Sequence, residues 1–272
     1  MAALDPRGQP VTGRRPVCTA AHWVPMEGYG PATYGDGFAD VYDNWYRDMS
    51  DVAATVSGVR KLADGGPILE LGVGTGRLAI PLVEAGESVV GLDASAAMLA
   101  RLMAKPGGSG VMCVEADMAE LPVATSHFAL AFAAFNTFFN LTDSAAQQRC
   151  LEGVAGALRP CGRLVIEGFR PPVEGLNDSG LSVRSVSVDG AVVTVSRHDP
   201  GRQEIRGHHV ELSATGIRLR PWMLHYRTPD QLDSAATAAG FVHEARWADW
   251  KQTPITDHSD MHVSVYRLDS RR

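Results

Sequence analysis

The sequence predicts an α/β protein, a doubly wound parallel sheet with an antiparallel β insert appended to it as a cap or platform. Three observations predict it. Short apolar runs alternate with helical periodicity between Ile68 and Glu167. The first run is followed at once by a glycine-rich turn that opens a helix. After Pro171 the texture changes to β-rich runs broken by DG, DPG and ATG turn signals.

Taken in order, Met1 to Pro16 is rich in Pro, Gly and Arg and lacks the apolar core of a signal peptide, so residues 1–27 are expected to be a disordered leader. From Phe38 to Tyr46 aromatic residues recur about one turn apart, and Ser57 to Leu62 continues toward a helix that ends at Gly65, Gly66 and Pro67. Residues 28–66 therefore read as a helical lid of two amphipathic helices ahead of the first strand. Ile68 to Leu71 is a strand, Gly72 to Gly76 a tight turn and Arg77 to Glu84 a helix. The unit repeats: Ser88 to Leu92 (strand), Ser95 to Ala104 (helix), then strands at Val111 to Glu115 and Phe128 to Ala133. Ser144 to Leu158 reads as a helix stopped by Pro160 and Gly162, and Arg163 to Glu167 as a strand, closing a core over 67–170. The insert, 171–228, holds β runs at Val183 to Val188, Val192 to His198, Gln203 to Leu212 and Ile217 to Tyr226. Residues 229–272 supply a helix, Asp230 to Gly240, and a final strand, Met261 to Arg267, that complete the core.

With 272 residues, 45% hydrophobic and 21% charged, the chain has material for one domain with an elaboration. A net charge of −6 argues against nucleic acid and anionic membranes as partners, and no apolar run approaches the roughly 20 residues of a membrane span. The four cysteines are scattered and the nine histidines show no ligand spacing, so no metal is expected and a reducing cytoplasm suits the chain. A small molecule is the expected partner, and self-association through the β insert is left open.

The chemistry gathers at ELGVGTGR, Glu70 to Arg77. Glycines there let the backbone turn sharply and approach a ligand where a Cβ would clash. Asp93 ends the next strand, where a carboxylate can accept both hydroxyls of a ribose, and Asp117 follows the third strand. The plainer alternative is a packing turn, with Asp93 capping the helix that begins near Ser95. A dinucleotide needs glycine where Arg77 stands, and Glu70 would face its pyrophosphate unfavourably, whereas Glu70 suits an ammonium group.

The segments ILELGVGTGR, VVGLDASAAML, VEADMAELP, AFNTFFNL and LRPCGRLVIEGF resemble the successive motifs of class I S-adenosylmethionine (SAM)-dependent methyltransferases with their Rossmann-like sheet. The resemblance implies that Glu70, Gly72, Gly74 and Gly76 hold the methionine part of SAM, Asp93 its ribose, Met98 the adenine face, and Asp117 with Met118 the adenine edge. Phe135 joins the cofactor-binding residues, and the loop it opens, through Leu141, is expected to line the acceptor pocket. YGDGFADVY resembles a segment of actinomycete natural-product methyltransferases, especially amino-sugar and lincosamide N-methyltransferases, in which a similarly spaced tyrosine pair closes over SAM and substrate. Tyr34 and Tyr42 take those roles by resemblance; the alternative is that both share one buried helix face. Asn140 stands where the sugar enzymes tend to offer a histidine. Phe138 and Phe139 read either as an apolar wall around the sulfonium or as core. His225 is the chosen base, if a base is needed, and with Tyr34 and Asn140 makes up the catalytic set. The expected function is methyl transfer to a small-molecule acceptor, a nitrogen of a natural-product intermediate in antibiotic biosynthesis. The alternatives are an O-methyltransferase, a peptide methyltransferase, an NAD-dependent oxidoreductase or a SAM-binding protein without catalysis.

Overall fold

Four apolar or sealed residues, Ile68–Leu71, form β1, buried along its whole length as the centre of a parallel sheet requires. β1 pairs in parallel with β2 (Val89–Asp93) on one side and β4 (Phe128–Ala133) on the other. Outward lie β3 (Met112–Glu115) beside β2 and β5 (Leu158–Phe169) beside β4. β11 (Met261–Leu268) runs antiparallel to β5, and β10 (Phe241–Trp247) antiparallel to β11. The seven strands lie in the order β3-β2-β1-β4-β5-β11-β10. The computed structural model describes residues 26–47, 50–171 and 179–269; of the expected leader, all but Met26 and Glu27 lies outside the described residues.

Helices cover both faces, as the alternation predicted. α6 (Ser144–Ala157) and α7 (Pro229–Ala238) close one face around Leu69, Leu71, Ala131 and Leu164. On the other, α3 (Val52–Ala63), α4 (Ala79–Glu84) and α5 (Ala96–Met103) pack over Ile68, Leu130, Phe132 and Val165. Side chains set the helix starts: Asp51, Ser95 and Asp143 each accept a backbone N–H of their helix, and Thr228 forms a capping box with Gln231.

The insert is a separate antiparallel sheet of β6 (Ser179–Val186), β7 (Gly190–Asp199), β8 (Glu204–Ser213) and β9 (Gly216–His225), in sequence order. Pro221 is tolerated because β9 is an edge strand. The strand period divides the sheet: His209, Arg220 and Trp222 face the lid, while Leu181, Val183, Leu212, Ile217 and Leu219 stand on the exposed outer face.

Several boundaries differ from expectation. The aromatic segment forms two short helices, α1 (Thr33–Phe38) and α2 (Tyr42–Trp45), because the chain turns at residues 39–41. With α3, three helices rather than two precede β1. α4 begins at Ala79, not Arg77, since Gly76 lies at φ +80°. β10 was not foreseen. Among the described residues, no helix is long and apolar enough to cross a membrane, and no cluster of His, Cys, Asp and Glu suits a metal.

Candidate active site

Each glycine of the loop after β1 has its own reason. Gly72, Gly74 and Gly76 all hold positive φ, at +65°, +54° and +80°. A Cβ on Gly72 would stand 2.3 Å from Thr137 Cγ2, and one on Gly76 2.7 Å from Leu102 Cγ, so both let neighbouring elements close in. A Cβ on Gly74 meets nothing within 4 Å and would project into open space. Gly74 and Gly72 thus front a cavity, Gly72 with Thr137 close against it, while Gly76 supports the loop from behind.

Asp93 closes β2 and ties the loop down. Its Oδ2 accepts the Gly74 N–H at 2.8 Å and its Oδ1 the Ser95 N–H at 2.9 Å. Burial raises its pKa above the ordinary carboxylate value, against the two N–H groups that lower it. The cap of α5 is Ser95, whose hydroxyl accepts the Met98 N–H at 3.2 Å. Glu70, at the end of β1, is 4% exposed, and its Oε2 has no hydrogen-bond partner. Burial pushes its pKa up to about 8, with the Arg77 guanidinium opposing and the Asp93 charge reinforcing the rise. A sealed, unpartnered carboxyl oxygen fits a ligand that brings a cation.

The cleft in front of Gly74 holds about 1010 Å³ of space, counted out to open solvent. Of the residues the sequence singled out, it brings together Tyr34, Tyr42, Gly72, Gly74, Asp93, Met98, Asp117, Met118 and Asn140. A smaller chamber joins it through Tyr42 and Gly72 and holds Glu70, Arg77 and Phe135. Phe135 and Asn136 take positive φ, +53° and +65°, held by Glu167: its Oε2 accepts the Phe135 N–H at 2.7 Å and its backbone carbonyl the Asn136 N–H at 3.1 Å. The Arg77 guanidinium lies 5.1 Å from the Phe135 ring centroid.

The roof is the lid. Tyr34 stacks on Phe38 with centroids 4.5 Å apart, and Tyr42 lies 4.9 Å from Tyr46. Burial raises Tyr42 to about 12 and holds Tyr34 well above its ordinary value, so both phenols are neutral near neutral pH. The lid bonds to the insert through Arg220, 1% exposed, which donates to the Gly37 carbonyl and Asp40 Oδ1, both at 2.6 Å. Arg184 donates to the Trp45 carbonyl at 2.8 Å from over the Trp45 and Tyr46 rings.

Several of these residues lie away from the cleft lining. His225, the chosen base, is not among the cleft residues: it ends β9 against α6, its Nε2 3.0 Å from Ser144 Oγ, and burial with nearby Arg227 lowers its pKa. Phe138 and Phe139, both 1% exposed, are core, and Phe139 packs beneath the loop against Phe169. Gly76 supports the loop from behind rather than lining the cleft. Sequence reasoning missed Tyr29 and Arg149, which also line the cleft, and the staple at Glu167, while Thr137 lines the cleft from within the loop expected to do so. Tyr29 accepts the Met223 N–H at 3.1 Å. The crowding of Gly72 by Thr137 had no signal in a linear reading.

A Methyltransferase domain family model matches residues 68–162. The chain is 32% identical over 193 residues to a cypemycin N-terminal methyltransferase from a Streptomyces species, covering 69% of this chain and 78% of that protein. The structure resembles the CcbJ methyltransferase from Streptomyces caelestis, with a TM-score of 0.82 and 36% identity over 89% of this chain and all of that one (100%). It also resembles the sugar N-methyltransferase KedS8 from Streptoalloteichus, with a TM-score of 0.64 and 25% identity over 90% and 98% of the two chains. With relatives matched at 32% and 36% identity over 78% and 100% of their own length, the chain belongs to the SAM-dependent methyltransferases.

Proposed function

We propose that the enzyme methylates a nitrogen of a small natural-product intermediate. The observation that carries nitrogen is the chemistry of the cleft wall. Its phenols, Tyr29, Tyr34 and Tyr42, are held neutral by burial, which raises the first and last to about 12. Asn140 adds a neutral amide. Three lining carboxylates already accept backbone N–H groups: Asp93 from Gly74 and Ser95, Asp117 from Ala119 and Asp143 from Ala146. The neutral phenols and amide can orient an amine that arrives with its own lone pair, whereas a hydroxyl acceptor needs a general base.

SAM, when bound, supplies a methyl group already activated by its sulfonium. Glu70 is suited to its ammonium, Asp93 to the ribose, and Met98, Asp117 and Met118 to the adenine. Tyr34 and Tyr42, on the lid, and Asn140, beneath it, exclude water and place the acceptor nitrogen. The names of the sugar N-methyltransferase and of the cypemycin N-terminal methyltransferase support nitrogen as the target. The latter also favours a second reading, the terminal amine of a short peptide, which needs the same wall.

The test pairs aminosugars and short peptides with their hydroxyl-bearing counterparts, and mass spectrometry follows the gain of one methyl group. Methylation of amines alone is expected. Turnover of the hydroxyl partners at comparable rates would overturn the nitrogen assignment.

A further inference from the structure

Three acids of the lid, Asp36, Asp40 and Asp43, bond to three different parts of the molecule. Asp40 reaches the insert through Arg220 and Arg218. Asp36 and Asp43 reach the two strand-end loops that form the cofactor cradle. Asp36 Oδ1 accepts the Ser95 hydroxyl at 2.6 Å, and the Ser95 N–H is held by Asp93. Asp43 Oδ1 accepts the Thr75 hydroxyl at 2.6 Å and the Lys105 ammonium at 2.8 Å, and the same ammonium donates to the Thr75 carbonyl at 2.8 Å. Thr75 lies between Gly74 and Gly76 and is fully buried. Since Gly74 N–H donates to Asp93, a continuous run of hydrogen bonds leaves the lid at Asp36 and passes through Ser95, Asp93 and the glycine loop. It returns to the lid at Asp43.

Residue 35 fits the same arrangement. A Cβ on Gly35 would fall 2.4 Å from Ser95 Cβ, so α1 can sit on the cap of α5 only with glycine there. Tyr34 and Tyr42 each directly adjoin one of these contacts in sequence, so where the ring sits sets where the two phenols point.

The geometry points to Asp36 and Asp43 as positioning residues that couple cofactor binding to lid closure, so that filling the cradle orders the segment over which the acceptor must enter. Neither acid touches the reacting atoms; each acts through a residue of the cradle. Glycine-loop and ribose-site groups that hold a ligand are drawn into fixed positions, and Thr75 and Ser95 carry that fixing to the lid. The converse follows from linkage: releasing the lid must weaken the cofactor by the same factor.

The test uses the full chain with S-adenosylhomocysteine as probe and needs no acceptor. Hydrogen exchange over residues 34–46 is measured with and without the probe, beside calorimetric affinity, in the wild type, Asp36→Ala, Asp43→Ala and the double variant. In the wild type the probe should slow exchange across 34–46. In the double variant that protection should vanish, and the dissociation constant should rise about tenfold, as expected for the loss of two hydrogen bonds coupled to the site. Asp40→Asn, which loosens the lid from the insert alone, should shift affinity less than either single variant. Asp36→Asn and Asp43→Asn, which keep an acceptor oxygen, guard against misfolding of the alanine variants and should recover part of the protection. Probe affinity within twofold of wild type in the double variant would overturn the coupling. So would probe-induced protection of 34–46 that is unchanged there or absent from the wild type.

Discussion

At the scale of the residue, Glu70 has the sharpest consequence. In the free protein it holds a proton that the unfolded chain has lost between about pH 4.5 and about 8. Its contribution to stability is complete below the lower value and drains away as pH climbs through the upper one. Melting temperature should therefore fall across that window, and Glu70→Gln should flatten the fall. If a ligand ammonium meets this group, binding S-adenosylhomocysteine at pH 7 must expel the proton. Calorimetry in buffers of different ionisation enthalpy should detect the release in the wild type and lose it in Glu70→Gln. Buffer-independent heats in the wild type would remove Glu70 from the ammonium site. Asp93→Ala should weaken the same ligand by about 1.5–3 kcal/mol, the range for hydrogen bonds to a charged group. It should also lower the melting temperature of the free protein, because Gly74 and Ser95 lose their acceptor. An unchanged affinity would leave Asp93 as a structural tie alone. Glu70, Gly74 and Asp93 were legible because a positive φ, a close approach and a strand-end carboxylate each demand particular residue types. Tyr29 and Arg149 were not, since their place in the cleft follows from chain segments that meet only in three dimensions.

At the scale of the element, the lid is where sequence and structure diverge most. Aromatic spacing suggested helix through Tyr42, yet the chain turns between Phe38 and Tyr42, and that turn lets Tyr34 and Tyr42 both face the cleft. The two tyrosines therefore stand on separate helices, although both pack against the cluster around Phe38. Tyr34→Phe and Tyr42→Phe should each lower turnover while leaving the ligand-free melting temperature within about 1 °C of wild type, because the ring and its packing stay. Tyr34→Phe should show the larger loss. Stopped assays beside melting curves decide this, and normal turnover in both variants would refute a role for the hydroxyls. β10 escaped notice for a related reason: FVHEARW carries His243, Glu244 and Arg246, and only one face of this edge strand needs apolar residues. The strands β1 and β4, sealed on both faces, were far easier to read.

At the scale of the whole molecule, alternation of strands and helices was enough to foresee the parallel sheet, and turn signals enough to foresee the insert. How the insert would face could not be foreseen, because both faces of its strands carry apolar residues. The lid and three arginines claim the inner face, which leaves Leu181, Val183, Val186, Ile217 and Leu219 between 57% and 75% exposed outside. That face gives the enzyme a handle on its colloidal behaviour. Excluded salts strengthen apolar association, so the wild type should come out of ammonium sulfate earlier than its charge of −6 suggests. Leu219→Lys should raise the salt needed for precipitation while leaving the melting temperature and S-adenosylhomocysteine affinity unchanged. Equal turbidity curves for the two would refute it. An enzyme whose cap is sticky on the side away from its cleft can be immobilised on a phenyl matrix by that cap, with its mouth left open to solvent.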